Sequence, residues 1–145
     1  VTRNPLDTCA SLLKRFGDLT YCAERWNLDS GASYKLLESG DQAIRVRYED
    51  LVRNPEPELK RLLAFANLSW DDAVLQAGGT EYRKDYLAGN MKLRSEQVSQ
   101  VIRPNIGTWT EALSAAQKAF VLEKTEHWAR ALEYDEAALK QMGVL

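Results

Sequence analysis

The sequence has few of the residues that supply disulfide, metal or membrane chemistry. Its 145 residues include two cysteines and one histidine. Two cysteines are too few for a disulfide framework or a cysteine-based metal site. We therefore expect Cys9 and Cys22 to be reduced side chains that pack in the interior. The chain also lacks an apolar run of about 18 residues, so we expect no membrane-spanning helix within it.

An excess of charge of either sign is missing as well. Lys and Arg number 19 and Asp and Glu number 21, which gives a formal net charge of −2. Without a basic surface field, nucleic acid is disfavoured as a partner. The 45% of hydrophobic and 28% of charged residues are typical of a folded globular chain. A chain of this length normally forms one domain.

Apolar residues recur at helical spacing through much of the chain. The pattern predicts an opening helix with Asp7 as its N-cap and Gly17 as its stop. A second helix follows from about Leu19, and Gly31 weakens the prediction that it continues. The inner faces of these two helices are expected to carry Cys9, Leu12, Leu13 and Phe16, and then Leu19, Cys22, Ala23, Trp26, Ser33 and Leu37.

Three later helices are predicted, and two of them have recognisable start signals. Asn54 as a cap and Pro55 at the first position predict a helix. Its expected buried stripe consists of Leu59, Leu62, Leu63 and Ala66. Ser114 and Gln117 have the spacing of a capping box and predict the last long helix. A short final helix is expected from Glu136 to Met142.

In one segment, apolar and charged side chains alternate instead of following helical spacing. In "AIRVRYEDL", Ile44, Val46 and Tyr48 face one way and Arg45 and Arg47 the other, which predicts a strand. A second strand stub is expected at residues 1–2. Because one strand cannot form a sheet, the fold is either nearly all-α or the rear part of an α/β domain, and we favour the second.

The opening "VTRNPLDTCASLL" predicts a turn from a strand into a helix. In open α/β sheets, ligands bind beyond the carboxyl ends of the strands, and a helix N-terminus attracts anions. Arg3 would add a fixed cation and Ser11 a hydroxyl donor, so both could contact one phosphate. Alternatively, Arg3 pairs with Asp7, and Ser11 bonds back to its own helix.

This stretch resembles the Arg-x-Pro-Arg-Asp-x-x-x-Ser motif of the sulfotransferases that use 3′-phosphoadenosine 5′-phosphosulfate (PAPS). Arg3, Pro5, Asp7 and Ser11 match the motif in register. The resemblance implies that Arg3 and Ser11 bind the 3′-phosphate of the cofactor. The sequence departs from the family at two other positions, where Asn4 and Leu6 stand in place of the usual Asp and Arg.

Two further blocks are similar to this family in the same order. "VRYEDL" resembles the family's Arg-Tyr-Glu-Asp-Leu motif, which implies that Tyr48 lies against the adenine ring. A core tyrosine is the alternative. "QVSQVIRPNIGTWTEALS" resembles a later block, which makes Arg103 the candidate for a second 3′-phosphate contact. A solvent-facing Arg103 is the alternative. "ALEYD" stands where the family usually has Leu-Gly-Tyr.

Two parts that the resemblance would imply are not found in these residues. No Gly/Ser/Thr-rich phosphosulfate loop follows a predicted strand, and His127 lies on the last long helix, so no catalytic residue is assigned. We therefore expect residues 1–145 to be a single partial domain, the C-terminal part of a sulfotransferase domain. The expected fold is α/β but mostly helical, an incomplete P-loop-type three-layer domain with only its last parallel strands.

By resemblance, the parent enzyme transfers a sulfuryl group from PAPS to an acceptor hydroxyl or amine, without a metal. The acceptor would be a small molecule, a glycan or a peptide. A non-enzymatic nucleotide-binding module and a structural helical module are the alternatives. Because a partial sheet exposes apolar edges, we also expect self-association.

Overall fold

A computed structural model of the chain describes residues 1–40, 43–76 and 105–145. These residues form seven α-helices and one short 3₁₀ helix. The helices are α1 (Pro5–Phe16), α2 (Leu19–Glu38), α3 (Tyr48–Arg53), α4 (Pro55–Phe65), α5 (Ala73–Gln76), the 3₁₀ helix η1 (Thr108–Glu111), α6 (Ala115–Ala131) and α7 (Glu136–Gln141). The expectation of a mostly helical chain is confirmed.

The chain divides into two compact units, residues 1–49 with 105–145 and residues 50–104. In the first unit, α1, α2, α6 and η1 pack together around the core. The fully buried side chains at its centre include Leu6, Cys9, Cys22, Val121, Leu132, Tyr134 and Leu139. The amphipathic patterns of the opening and closing helices therefore meet in one core, although they are distant in sequence.

The first helix starts earlier than predicted. Asn4 is its N-cap, because the Asn4 side chain accepts a hydrogen bond from the Asp7 backbone N–H at 2.8 Å. Pro5 takes the first helical position, where its fixed φ fits and its missing N–H costs nothing. The prediction of Asp7 as the cap is thus wrong, and its carboxylate is left for other partners. The predicted stop is confirmed, since Gly17 has φ 72°.

Helix α2 continues through Gly31 without a break. A Cβ at this position would lie 2.8 Å from Cζ2 of Trp128 on α6. The close approach of the Trp128 indole ring, and not a turn, therefore explains why position 31 is a glycine. The sequence pattern alone read this residue as a weakness in the helix, because the partner that requires it is nearly a hundred residues away.

The predicted strand is not formed, and among the described residues no β-strand is present. Thr2 and Arg47 form an isolated parallel bridge. In it, Thr2 N donates to Val46 O and Tyr48 N donates to Thr2 O, both at 2.8 Å. An extended segment becomes a strand only when neighbours pair with it along its length. Here the pairing ends at Tyr48, where α3 begins.

In the second unit, α4 begins at Pro55 as predicted. Asn54 stands at the N-cap, but its side chain makes no capping hydrogen bond. The expected buried stripe is only half-buried, and Ala66 is exposed. The prediction that this stripe forms a core is therefore wrong for the described residues, because no side chain of α4 is fully buried.

Phe16, predicted on the apolar stripe of α1, is 48% exposed, so that part of the prediction is wrong. Two other predictions are confirmed. Ser114 and Gln117 form a complete capping box at the start of α6. Cys9 and Cys22 are free and buried. Burial, reinforced by the neighbouring Cys22, raises the pKa of the Cys9 thiol to about 12. Among the described residues, no helix is long and apolar enough to cross a membrane.

Candidate functional site

The site begins where the opening segment turns into α1. Thr2 is held by its parallel bridge to residues 46–48, and Asn4 caps the helix. Between them, the carbonyl oxygen of Arg3 accepts a hydrogen bond from Trp26 Nε1 at 3.0 Å. The backbone is thus fixed before, at and after Arg3, so its side chain starts from a defined point.

The Arg3 side chain lies against two groups that carry no net charge. Its guanidinium carbon is 4.7 Å from the centroid of the Tyr48 ring, and Nη2 donates to the backbone carbonyl of Asn105. The Asn105 N–H in turn donates to the Tyr48 hydroxyl at 3.4 Å. The structure therefore brings together two predicted site residues, Arg3 and Tyr48.

Arg3 retains hydrogen-bonding capacity in this arrangement. Its Nε is buried and has no hydrogen-bond partner among the described residues. Within that part of the chain, Arg3 also forms no ion pair with a carboxylate. A guanidinium fixed on an aromatic ring, with an unsatisfied N–H, is suited to an oxyanion. The nearby face of the Tyr48 ring is covered by Arg3, so a base stacking on this ring would use the other face.

Asp7 is not the partner of Arg3, which contradicts the alternative of an Arg3–Asp7 pair. Its carboxylate is 1% exposed and accepts the backbone N–H groups of Gly107 at 2.9 Å and Trp109 at 3.0 Å. The Thr108 hydroxyl adds a longer bond at 3.3 Å. Asp7 therefore ties the start of η1 to the first turn of α1.

A second buried carboxylate supports the same turn. Glu49 is fully buried and accepts the backbone N–H of Asn4 at 2.9 Å and the Asn4 side-chain amide at 2.7 Å. Tyr134 donates to its other oxygen at 3.1 Å, and Thr2 Oγ1 lies 3.1 Å from the same hydroxyl. Burial, with the charge of Glu49 second, raises the pKa of Tyr134 well above its usual range.

Sequence reasoning missed the roles of Asn4, Glu49 and Tyr134. Two weak signals were available. One is a charged residue directly after an alternating apolar segment, and the other is an aromatic residue just after the last long helix. Neither signal names a partner, because the three residues lie in distant parts of the sequence. Their positions nonetheless fall inside the quoted motifs at residues 3–11, 47–51 and 131–135.

The other two predicted site residues are not brought to Arg3 by the described contacts. Ser11 is an exposed residue of α1 and makes no hydrogen bond among the described residues, neither to Arg3 nor back to its own helix. Its sharing of a ligand with Arg3 stays a prediction. Arg103 lies outside the described residues, two positions before the Asn105 carbonyl that Arg3 contacts.

A different arginine cluster lies beside Tyr134. Arg45 and Arg47 each donate through Nη2 to the same oxygen of Glu133, and the Arg47 guanidinium lies 5.9 Å from the Tyr134 ring centroid. The hydrogen bond from Arg45, followed by the charges of both arginines, lowers the pKa of Glu133. Glu133 has φ 55°, a left-handed conformation that usually favours glycine.

Among the described residues, no cluster of three or more His, Cys, Asp or Glu side chains could hold a metal ion. His127 is exposed on α6, where its ring meets Trp128 edge to face at 4.6 Å. Within the described part of the chain, the arrangement around Arg3 can thus bind and orient an anion. It contains no group placed for nucleophilic or acid–base chemistry.

Comparisons with known proteins agree with the sequence resemblance. A model of the sulfotransferase family matches residues 1–72. Protein-tyrosine sulfotransferase 1 of Danio rerio is 38% identical over 71 residues, covering 43% of this chain and 20% of that protein. Protein-tyrosine sulfotransferase A of Caenorhabditis elegans is 32% identical over 83 residues, covering 56% and 22%. The chain thus spans about a fifth of the length of these relatives. No solved structure matches it.

Proposed function

We propose, from the match of residues 1–72 to the model of the sulfotransferase family, that this chain is part of a sulfotransferase that uses PAPS as donor. In this proposal the chain supplies the side of the cofactor site that binds the 3′-phosphate. The observation that carries it is the state of Arg3. Its guanidinium is fixed on Tyr48, has a buried Nε without a partner, and pairs with no carboxylate in the described part of the chain.

In this proposal, four residues bind the nucleotide half of PAPS. Arg3 supplies the cation and Ser11 a hydroxyl for the 3′-phosphate, with Arg103 as a second cation. Tyr48 offers the ring face that Arg3 leaves uncovered to the adenine.

When bound, PAPS supplies a sulfuryl group bonded to a phosphate leaving group. The residues named here would hold that leaving nucleotide, so their effect on transfer would be through binding and orientation. Cationic side chains near the nucleotide would also stabilise the negative charge that the nucleotide gains as the sulfuryl group departs. None of these residues is assigned contact with the sulfur.

The acceptor is proposed to be a hydroxyl or an amine. Because two relatives are named protein-tyrosine sulfotransferases, a tyrosine hydroxyl in a polypeptide is the first candidate. The complete domain is proposed to have the α/β P-loop-type fold, with the Thr2–Arg47 bridge as the start of its parallel pairing. Self-association of the 145-residue chain stays a prediction of this proposal.

The test is a calorimetric titration of the chain with adenosine 3′,5′-bisphosphate and with adenosine 5′-monophosphate, which lacks the 3′-phosphate. We expect weak binding, tighter for the bisphosphate. Arg3→Ala should lower bisphosphate affinity by roughly 10- to 100-fold, the range of a charge-assisted contact. Ser11→Ala should lower it by a smaller factor.

Arg25→Ala is the matched control. Arg25 is an exposed arginine of α2, paired with Asp29 at 2.8 Å, so its loss changes the net charge equally without touching the site. A folded wild-type chain that binds both nucleotides equally, or neither at millimolar concentration, would contradict the proposal. Sulfuryl transfer itself is measured on the natural full-length protein with tyrosine peptides as acceptors.

A further inference from the structure

The carboxylate of Asp7 connects two parts of the chain that are a hundred residues apart. It accepts the N–H groups of Gly107 and Trp109 at 2.9 and 3.0 Å, and the Asn4 side-chain amide donates to it at 2.9 Å. The Thr108 hydroxyl lies 3.3 Å away. All four donors are neutral, and the carboxylate is 1% exposed. Two oxygens with four lone-pair positions are used almost completely.

The segment that Asp7 anchors is also the segment that holds Arg3. The Arg3 guanidinium donates to the Asn105 carbonyl, which precedes Gly107 by two residues. The Asn105 N–H donates to the Tyr48 hydroxyl, and Tyr48 lies against the guanidinium. The position of Arg3 therefore depends on residues 105–109, and their position depends on Asp7.

We propose that Asp7 is a positioning residue for the 3′-phosphate subsite. By docking residues 105–109 against α1, it fixes the Asn105 carbonyl and so holds the Arg3 guanidinium over Tyr48 in one orientation. Asp7 itself touches no nucleotide in this proposal. The inference rests on the proposed function, since it concerns the ligand that Arg3 would bind.

An amide cannot replace this carboxylate fully. In Asp7→Asn, the side chain keeps one acceptor oxygen, but its NH₂ group faces N–H donors where the second oxygen stood. We expect the 105–109 segment to loosen, while α1 keeps its cap, because the capping bond is made by the Asn4 side chain and the Asp7 backbone N–H. The variant thus separates the docking of 105–109 from the formation of α1.

The experiment measures discrimination between nucleotides and not affinity alone. In Asp7→Asn, we expect the affinity ratio of adenosine 3′,5′-bisphosphate to adenosine 5′-monophosphate to fall about tenfold, because a misplaced charged contact loses its geometry. The affinity for the monophosphate should stay within about twofold, since that ligand lacks the phosphate that Arg3 would bind. Amide NMR signals of Gly107 and Trp109 report whether the segment has moved.

A merely structural role would change stability and leave the ratio intact. Val121→Ala is the matched control, because Val121 is fully buried on α6 and its truncation destabilises the core without removing a bond to residues 105–109. Both variants are titrated well below their melting temperatures. An unchanged ratio in Asp7→Asn, with shifted Gly107 and Trp109 signals, would overturn the proposal.

Gly107→Ala is a second route, used if Asp7→Asn does not fold. Gly107 has φ 76°, which an L side chain rarely adopts, so alanine strains the segment while Asp7 stays in place. The ratio should fall here too, and an unchanged ratio would again overturn the inference. If the wild type itself shows no preference for the bisphosphate, the proposed function fails instead, which keeps the two failures distinct.

Discussion

Two clusters contain arginine and differ in their ionic partners: Arg45 with Arg47, and Arg3 with Tyr48. The Thr2–Arg47 bridge joins the segments on which they lie. Arg45 and Arg47 share one carboxylate oxygen of Glu133. Arg3 has an aromatic ring and a backbone carbonyl instead. In the first cluster, each arginine forms an ion pair with Glu133. In the second, Arg3 forms no ion pair with a carboxylate among the described residues, and a guanidinium of this kind is suited to an anionic ligand.

The comparison shows why a count of arginines cannot locate an anion site. Both clusters include an arginine at an extended segment beside a tyrosine ring, at 4.7 Å for Arg3 and 5.9 Å for Arg47. They differ in whether the arginine forms an ion pair with a carboxylate of the described residues. The nearest carboxylate in sequence to Arg3, that of Asp7, is engaged by the backbone of Gly107 and Trp109, which keeps it away from the guanidinium.

The largest expected effect compares the two clusters directly. Arg3→Met should lower the affinity for adenosine 3′,5′-bisphosphate by at least about tenfold, because a charge-assisted contact is lost. Arg45→Met should change it by less than about twofold, because Arg45 already pairs with Glu133. Titration calorimetry at constant ionic strength measures both. Equal losses would show that the contrast between the clusters has no bearing on binding.

Next in size is an effect on stability at Tyr134. The Tyr134 ring lies near Arg47, and its hydroxyl donates to the buried Glu49. Tyr134→Phe removes that donor and leaves a carboxylate oxygen unsatisfied, which should cost about 1–3 kcal/mol in the free energy of unfolding. Urea denaturation measures it. A loss no larger than that of the exposed control Tyr21→Phe would contradict this view of the network.

A smaller effect is expected at Glu133, whose side chain is 63% exposed. Glu133→Gln removes the charge and keeps the left-handed backbone, and should destabilise by less than about 1 kcal/mol. Glu133→Gly removes the charge but relieves a conformation that costs a non-glycine residue about 1 kcal/mol. The glycine variant should therefore unfold at a higher urea concentration than the glutamine variant. The reverse order would mean that backbone strain is not relieved there.

The smallest effect is a pH dependence of stability. Because Arg45 and then Arg47 lower the pKa of Glu133 in the folded state, this group stabilises the fold above its unfolded pKa. That contribution is lost as the pH falls through the lower folded pKa. Glu133→Gln should flatten the acid limb of the stability profile slightly, and less so at high salt. An unchanged acid limb at low salt would show that the pair contributes nothing.

Local signals in the sequence were sufficient for most helices. The Ser114 capping box, the Gly17 stop and Pro55 at the first position of α4 act through neighbouring backbone groups, so a short window contains all the information. The predicted cap at Asp7 was wrong because two polar residues compete for that position. Asn4 takes it, since Pro5 fixes the start of the helix directly after it.

The sequence by itself determined the helical character, the reduced cysteines and, through residues 3–11 and 47–51, the resemblance to sulfotransferases. Only the tertiary structure decided what each polar residue of those motifs contacts. Asp7 accepts hydrogen bonds from residues 107–109, and Glu49 accepts them from Asn4 and Tyr134. The Arg3 guanidinium lies against the Tyr48 ring and donates to the Asn105 carbonyl. The physical reason is that a helix cap is satisfied within a few residues of the chain, whereas a buried carboxylate takes whichever donors the fold places around it.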